Sequence, residues 1–157
     1  MNQVLEIAAD GLTQRAIRNV YQYWLDKRRG RPMPARADID ALDVGYALGN
    51  ISLVDVVREP RLRFRFRLDG SNLVALTGFD LTNTFADEFE PGPYRDFMLE
   101  VYRRIVAGRA PLFFRHQEQW QYSGMQMESA TLPLSSDGEN VDMIMDVVFP
   151  TEIHPVP

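Results

Sequence analysis

The sequence predicts an α+β domain: a five-stranded antiparallel sheet with short helices and one long helix on one face, plus an N-terminal flanking helix. Three observations carry this reading. Residues 61–68, RLRFRFRL, alternate arginine with a large apolar residue, the period of a half-buried strand. Residues 13–29 and 94–107 repeat apolar residues every three or four positions, the period of an amphipathic helix. Three strand candidates close the chain at 111–121, 124–135 and 141–150, with turn signals Ser123-Gly124 and Asp137-Gly138 between them.

Taken in order, Thr13 can cap the first helix, and Ala16, Ile17, Val20, Tyr21, Trp24 and Leu25 form its apolar stripe. Lys27, Arg28 and Arg29 suit its C-terminal dipole; Gly30 ends it, and Pro32 and Pro34 prevent resumption. An irregular connection follows, with Asp38 or Asp40 able to cap a short turn before Gly49-Asn50. ISLVDVV, the turn at Pro60 and the arginine strand make a hairpin over 51–68. Ser71 can cap a short helix that Gly78 ends, and one helical turn fits residues 86–89. Pro93 opens the long helix, whose buried stripe is Phe97, Met98, Val101 and Ile105 with Tyr94 a further candidate, and Glu100 and Arg104 pair on its exposed side. In the last strand Val141, Met143, Met145, Val147 and Phe149 share one face and Asp142 and Asp146 the other. A lone hairpin is marginal in water, so 51–68 must join the closing strands in one sheet. The organisation expected is a helix and linker over 1–40, the main domain over 41–150 and a loose tail over 151–157.

Composition narrows the class. A chain of 157 residues favours one domain and buries about two thirds of its unfolded surface, enough for a core without staples. No apolar run approaches the roughly 18 residues of a membrane helix, and the N-terminus lacks the basic start of a secretory signal. Cysteine is absent, which excludes disulfides, thiolate metal sites, cysteine nucleophiles and flavin–cysteinyl adducts and fits a cytoplasmic protein. The formal net charge of −5 is the opposite of the usual balance for nucleic-acid binding, so the expectation is no nucleic acid and no membrane as partner.

The order of elements resembles the PAS domain family, in particular bacterial single-PAS proteins of about this length. The hairpin 51–68 is similar to the first two PAS strands. DGSNLVALTGFDLTNTF is similar to the segment in which a strand runs into a small helix ending at Gly-aromatic, here Gly78-Phe79. Residues 94–107 resemble the long connecting helix, 112–149 the closing strands, and YQYWLDKRRGRPMPARADID the segment preceding the core in that bacterial group. Two positions depart: Gly70 stands where many members have Asn, and Asn83 where many have Gly, Asn being the next most tolerant residue at positive φ. The long helix also lacks the histidine that usually ligates iron in PAS haem sensors. The resemblance implies a cytoplasmic sensory or regulatory module without catalysis, built around a small cavity.

Candidate site residues follow from this frame. Leu62, Phe64, Phe66 and Leu68 should face the helices and Arg61, Arg63, Arg65 and Arg67 the opposite side. Three readings of the arginines compete: cross-strand pairs with Glu118, Glu128, Asp142 or Asp146; a docking face; or phosphate binding, which nearby acids would weaken. The run Lys27, Arg28, Arg29, Arg31 and Arg36 is either a solvated helix end or a patch for an anionic partner.

The many aromatic and methionine residues, Met125 and Met127 among them, are either packed core or the lining of a pocket. Phe64, Phe66, Phe79, Phe97, Val101, Phe114 and Met143 are the candidate lining for a small apolar or aromatic ligand, with no cofactor identified. Tyr21, Trp24, Arg63 and Arg65 are the candidate interface to an unidentified regulatory protein or to a second subunit of a homodimer. His116 can point inward, whereas His154 lies in the tail. Asp69, Asp80, Asp87 and Glu88 cluster near the expected pocket mouth and serve either acid–base chemistry or turns and helix starts. The expected mechanism is a ligand that favours one packing of helix 94–107 against the sheet. The alternatives are a ligand-free interaction module and a small enzyme of the ketosteroid isomerase type, whose usual order puts the long helices first.

Overall fold

In the computed structural model, which describes residues 3–120 and 123–155, the five expected strands pair into one antiparallel sheet. The side chains of 118–120, 123–125 and 152–155 are not described, so the readings placed on Glu118, Met125 and His154 lie outside the described residues. The elements are β1 (Gln3–Ile7), α1 (Arg15–Lys27), β2 (Ile51–Val57), β3 (Arg63–Leu68), α2 (Ser71–Thr77), α3 (Pro93–Gly108), β4 (Leu112–Trp120), β5 (Ser123–Leu134) and β6 (Met143–Pro155). The strand order is β1-β4-β5-β6-β2-β3.

Two features extend the sequence reading. β1 is a sixth strand, pairing with β4 at the sheet edge. Its five residues QVLEI leave Val4 and Leu5 both exposed, so no alternation announces it. Glu6 in β1 takes both guanidinium hydrogen bonds of Arg104 from α3, each 2.9 Å long. That replaces the Glu100–Arg104 pair expected along the helix. The tail is corrected too: β6 runs on to Pro155 against β5, so 151–155 are strand.

The sheet is covered on both faces, because its strands alternate between two sets of neighbours. Phe66, Phe114, Thr131 and Asp146 face α2 and α3. Leu53 and Met145 face the segment 36–49, and Phe113 and Glu128 face α1 and its entry. Ile17, Val20, Trp24, Met33 and Ile39 belong to the same core as the sheet residues, so no core boundary falls at residue 40.

The start of α1 is set by tertiary contact. Thr13 does not cap the helix; Gln14 is the N-cap, and its side chain accepts from the Ala16 amide. Thr13 instead donates its amide and hydroxyl to Glu128 on β5 (both 2.9 Å), and the Gln14 amide adds a third bond at 2.7 Å. Arg115 on β4 completes the anchor at 3.1 Å.

Two turn positions show why their residue types are needed. Asn83 takes φ +68°, the left-handed conformation that Asn tolerates best after Gly. Gly70 has ordinary φ but no room: a Cβ there would lie 2.4 Å from the Gly49 carbonyl oxygen. This close approach ties the end of β3 to the start of β2.

Candidate functional site

α3 crosses the inner face of the sheet because Met98, Val101, Tyr102 and Ile105 recur on one side of it and are buried there. Pro93 at its first turn fixes its start, and Arg109 in the left-handed conformation ends it. α2 and the 3-10 turn Ala86–Glu88 fill the adjoining space. Between these helices and the sheet lies a cavity of about 90 Å³.

The wall of the cavity is aromatic. Phe66, Phe97, Phe114, Tyr94 and Tyr102 contribute to it, with Phe97 and Phe114 edge to face at 5.1 Å. Its floor is polar because β2, β4, β5 and β6 turn Ser52, His116, Ser129, Thr131 and Asp146 inward. Asp146 is enclosed by protein and accepts from Thr131 Oγ1 (2.8 Å) and Tyr102 Oη (3.0 Å). Asp69, at the end of β3, accepts from Ser52 Oγ (2.8 Å) and the Leu81 amide (3.2 Å).

Burial dominates the electrostatics. Desolvation pushes the Asp146 carboxyl above its ordinary value against the pull of its two hydroxyl donors, and Asp69 adds repulsion. Asp69 is raised for the same first reason. Tyr102 is pushed well above its ordinary value by burial and by the negative charge of Asp146. Desolvation lowers His116 to about 4, so the imidazole is neutral at pH 7.

Four residues of the expected lining are on the cavity wall: Phe66, Phe97, Val101 and Phe114. Three are elsewhere. Phe79 is 70% exposed, since α2 ends at Gly78 and the chain turns outward. Phe64 is on the inner face but packs on Tyr102 in the filled part of the core, at 5.4 Å. Met143 shares the face of Met145, opposite Asp146, because strand residues two apart point the same way. Asp146, expected among the candidate partners of the arginine strand, instead joins Ser52, Ser129 and Thr131 in the cavity floor, three residues on which the sequence reading places no role. The available signal is Asp146 itself, on the face of β6 opposite Met145, which packs toward the segment 36–49.

The candidate interface is largely occupied within the chain. Trp24 is 1% exposed, and its indole N–H donates to the Pro133 carbonyl at 2.8 Å. Tyr21 stacks on Phe113 at 4.9 Å. Thus the apolar stripe of α1 covers its own sheet.

Arg65 and Arg67 pair with Asp55 on neighbouring β2. Arg63 makes a bidentate pair with Asp87 at 2.7 and 2.8 Å and lies over the Phe85 ring. None of the expected acidic partners serves among the described residues, because β3 is an edge strand whose strand neighbour is β2. Asp87 and Glu88 are drawn to Arg63, and Asp80 accepts from Thr82, so of the four mouth acids Asp69 lines the cavity. The basic run is also partly engaged: Lys27 and Arg28 lie over Tyr23 and Trp24, and Arg31 pairs with Asp38. Among the described residues no group of three or more metal-ligating side chains forms, and no helix is long and apolar enough to cross a membrane.

A search of curated proteins gives no match. Among solved structures the fold is similar to a fungal LOV domain photoreceptor, with 11% identity, a TM-score of 0.44, and coverage of 73% of this chain and 94% of that one. It is also similar to an RNA-binding light-oxygen-voltage receptor, with 11% identity, a TM-score of 0.50, and coverage of 96% of this chain. The matched region is 39% of that receptor chain. At this identity the likeness concerns the fold. It nevertheless corrects one expectation: a chain of this fold occurs in an RNA-binding receptor, so neither fold nor net charge excludes nucleic acid as a partner. A net charge is a sum over the chain and does not describe a local surface. A PAS domain profile matches residues 12–148, and with this match joined to the strand order and the crossing helix, the chain belongs to the PAS domain family.

Proposed function

We propose that this PAS domain is a sensory module that binds a small molecule between α3 and the sheet and passes the event on through its protein surface, without catalysis. The observation that carries the proposal is the cavity with a polar floor. Buried polar groups converge on a space instead of on packed side chains, which is the usual form of a ligand site. Tyr102 provides the coupling, since it stands on α3 and donates to Asp146 on β6. A ligand that competes for Asp146 alters the attachment of α3 to the sheet and so shifts its packing.

The cavity size favours a second reading. About 90 Å³ is well below the usual range for drug-sized ligands, roughly 300–1,000 Å³. A ligand-free interaction module would have such a space filled by a few waters. Native mass spectrometry of the purified protein, compared with Val101→Phe, separates the two. The sensory reading expects a bound small molecule, or a thermal shift with small polar compounds, that Val101→Phe abolishes while keeping the fold. A protein that carries nothing, responds to no small compound and tolerates Val101→Phe unchanged would establish the ligand-free module instead.

A further inference from the structure

We propose that the cavity binds a small alkylammonium cation, held between Asp69, Asp146 and the surrounding aromatic rings. This rests on the reading of the cavity as a ligand site and names the ligand's chemistry.

The first observation is a charge imbalance. Asp69 and Asp146 both line the space, and among the described residues no lysine or arginine does. Enclosed carboxylates are costly unless paired with positive charge. At Asp146 the described residues supply two neutral hydroxyls and no cation.

The second observation is the wall. Phe66, Phe97, Phe114, Tyr94 and Tyr102 surround the same space. Ring faces attract cations, and several rings around one site form the aromatic cage that recognises substituted ammonium groups.

The third observation is the direction of the donors. The Tyr102, Thr131 and Ser52 hydroxyls point at carboxylates, so these three donors serve the site's own acids. Each carboxylate oxygen that accepts one bond retains a second lone pair for an ammonium N–H.

Size sets the limit. A cavity of about 150 Å³ holds benzene, so 90 Å³ admits a cation of only a few heavy atoms. The aromatic and apolar lining suits the alkyl groups of an organic cation. The titratable groups facing the site are Asp69, Asp146, His116, Tyr94 and Tyr102. Burial lowers His116 to about 4 and raises both carboxyls, so a bound cation would meet a neutral imidazole and would favour the ionised form of both acids.

The test is isothermal calorimetry of the full chain with trimethylammonium, set against uncharged tert-butanol and anionic acetate. Trimethylammonium should bind, with the two controls at least tenfold weaker. Asp146→Asn should weaken it at least tenfold, and Phe97→Leu, which keeps the charges and removes one ring, several-fold; circular dichroism verifies both folds. Equal binding of tert-butanol overturns the cation proposal and leaves the cavity as a ligand site. Failure of trimethylammonium while native mass spectrometry shows another bound molecule does the same. Failure of all three probes with no bound molecule in the native spectrum overturns both proposals together.

Discussion

Glu128 and Asp146 are both enclosed acids on adjacent strands, and they differ in almost everything else. Glu128 faces α1 on the outer side of the sheet, is 0% exposed and accepts from two backbone amides, the Thr13 hydroxyl and Arg115. Burial acts to raise its carboxyl, but these donors outweigh burial and hold it below the ordinary value. Asp146 faces the inner side, has two hydroxyl donors and, among the described residues, no cation, and sits above its ordinary value beside a cavity. The difference teaches that burial alone does not mark a functional acid. An acid whose hydrogen bonds and charge are satisfied fastens one element to another. An acid left without a counter-charge next to empty space is available to a ligand.

The largest expected effect breaks the satisfied member. Glu128→Ala leaves Arg115 and the amides of Thr13 and Gln14 without their acceptor, and should cost about 3–5 kcal/mol in a urea titration. A loss under about 1 kcal/mol would mean that the anchor contributes little.

The next effect is acid sensitivity. His116 is neutral in the fold with a value of about 4 against an ordinary 6.5, so the unfolded chain binds its proton first. Stability should fall as pH drops from about 6.5 towards 4, by on the order of 3 kcal/mol, and His116→Gln should remove that slope. Glu128 adds to the loss below its ordinary value, since its folded form gives up charge only at lower pH. The raised acids act in the opposite sense: between the ordinary value of 3.8 and the raised folded values, Asp146 and Asp69 favour the fold as pH falls. Urea midpoints from pH 4 to 8 for the parent, His116→Gln and Asp146→Asn resolve the opposing contributions.

A smaller effect tests what holds the second acid in place. Gly70→Ala drives a methyl group into the Gly49 carbonyl and should cost about 2 kcal/mol. It should also weaken the cavity response, because Asp69 precedes it directly. The smallest effect on stability is at Asp146. Asp146→Asn retains a hydrogen-bonding group and removes an uncompensated charge, so unfolding should shift by under about 1 kcal/mol. A loss as large as that of Glu128→Ala would place Asp146 with the structural anchors and end the contrast.

Much of the fold was readable because local pattern and final environment agree. The alternation through Phe64 and Phe66, the long helix opened by Pro93 and the turn at Asn83 match their observed places, whereas Leu62 is exposed and Leu68, beyond a register shift between β2 and β3, joins Leu53 on the outer face. The site was readable only in part. Phe66, Phe97, Val101 and Phe114, expected from periodicity and the PAS resemblance together, lie on the cavity wall. The polar floor was hidden because a strand's period separates two faces without saying which of them is solvent. Once α1 covers the outer face, both are interior, and Asp146 becomes a cavity group instead of a surface acid. Trp24 was misplaced for the same reason, since an amphipathic stripe fits a partner or its own sheet equally well.

Periodicity and turn chemistry determined the chain order of five strands and the two main helices, composition determined the absence of cysteine chemistry, and that order carried the resemblance to the PAS family. Tertiary structure alone decided that β6 turns Asp146 and not Met143 to the cavity, and which acids meet counter-charges. The physical reason is range. Backbone preferences and apolar spacing act over a few residues, whereas desolvation and ion pairing depend on segments such as Thr13 and Glu128 that meet only after the chain has folded.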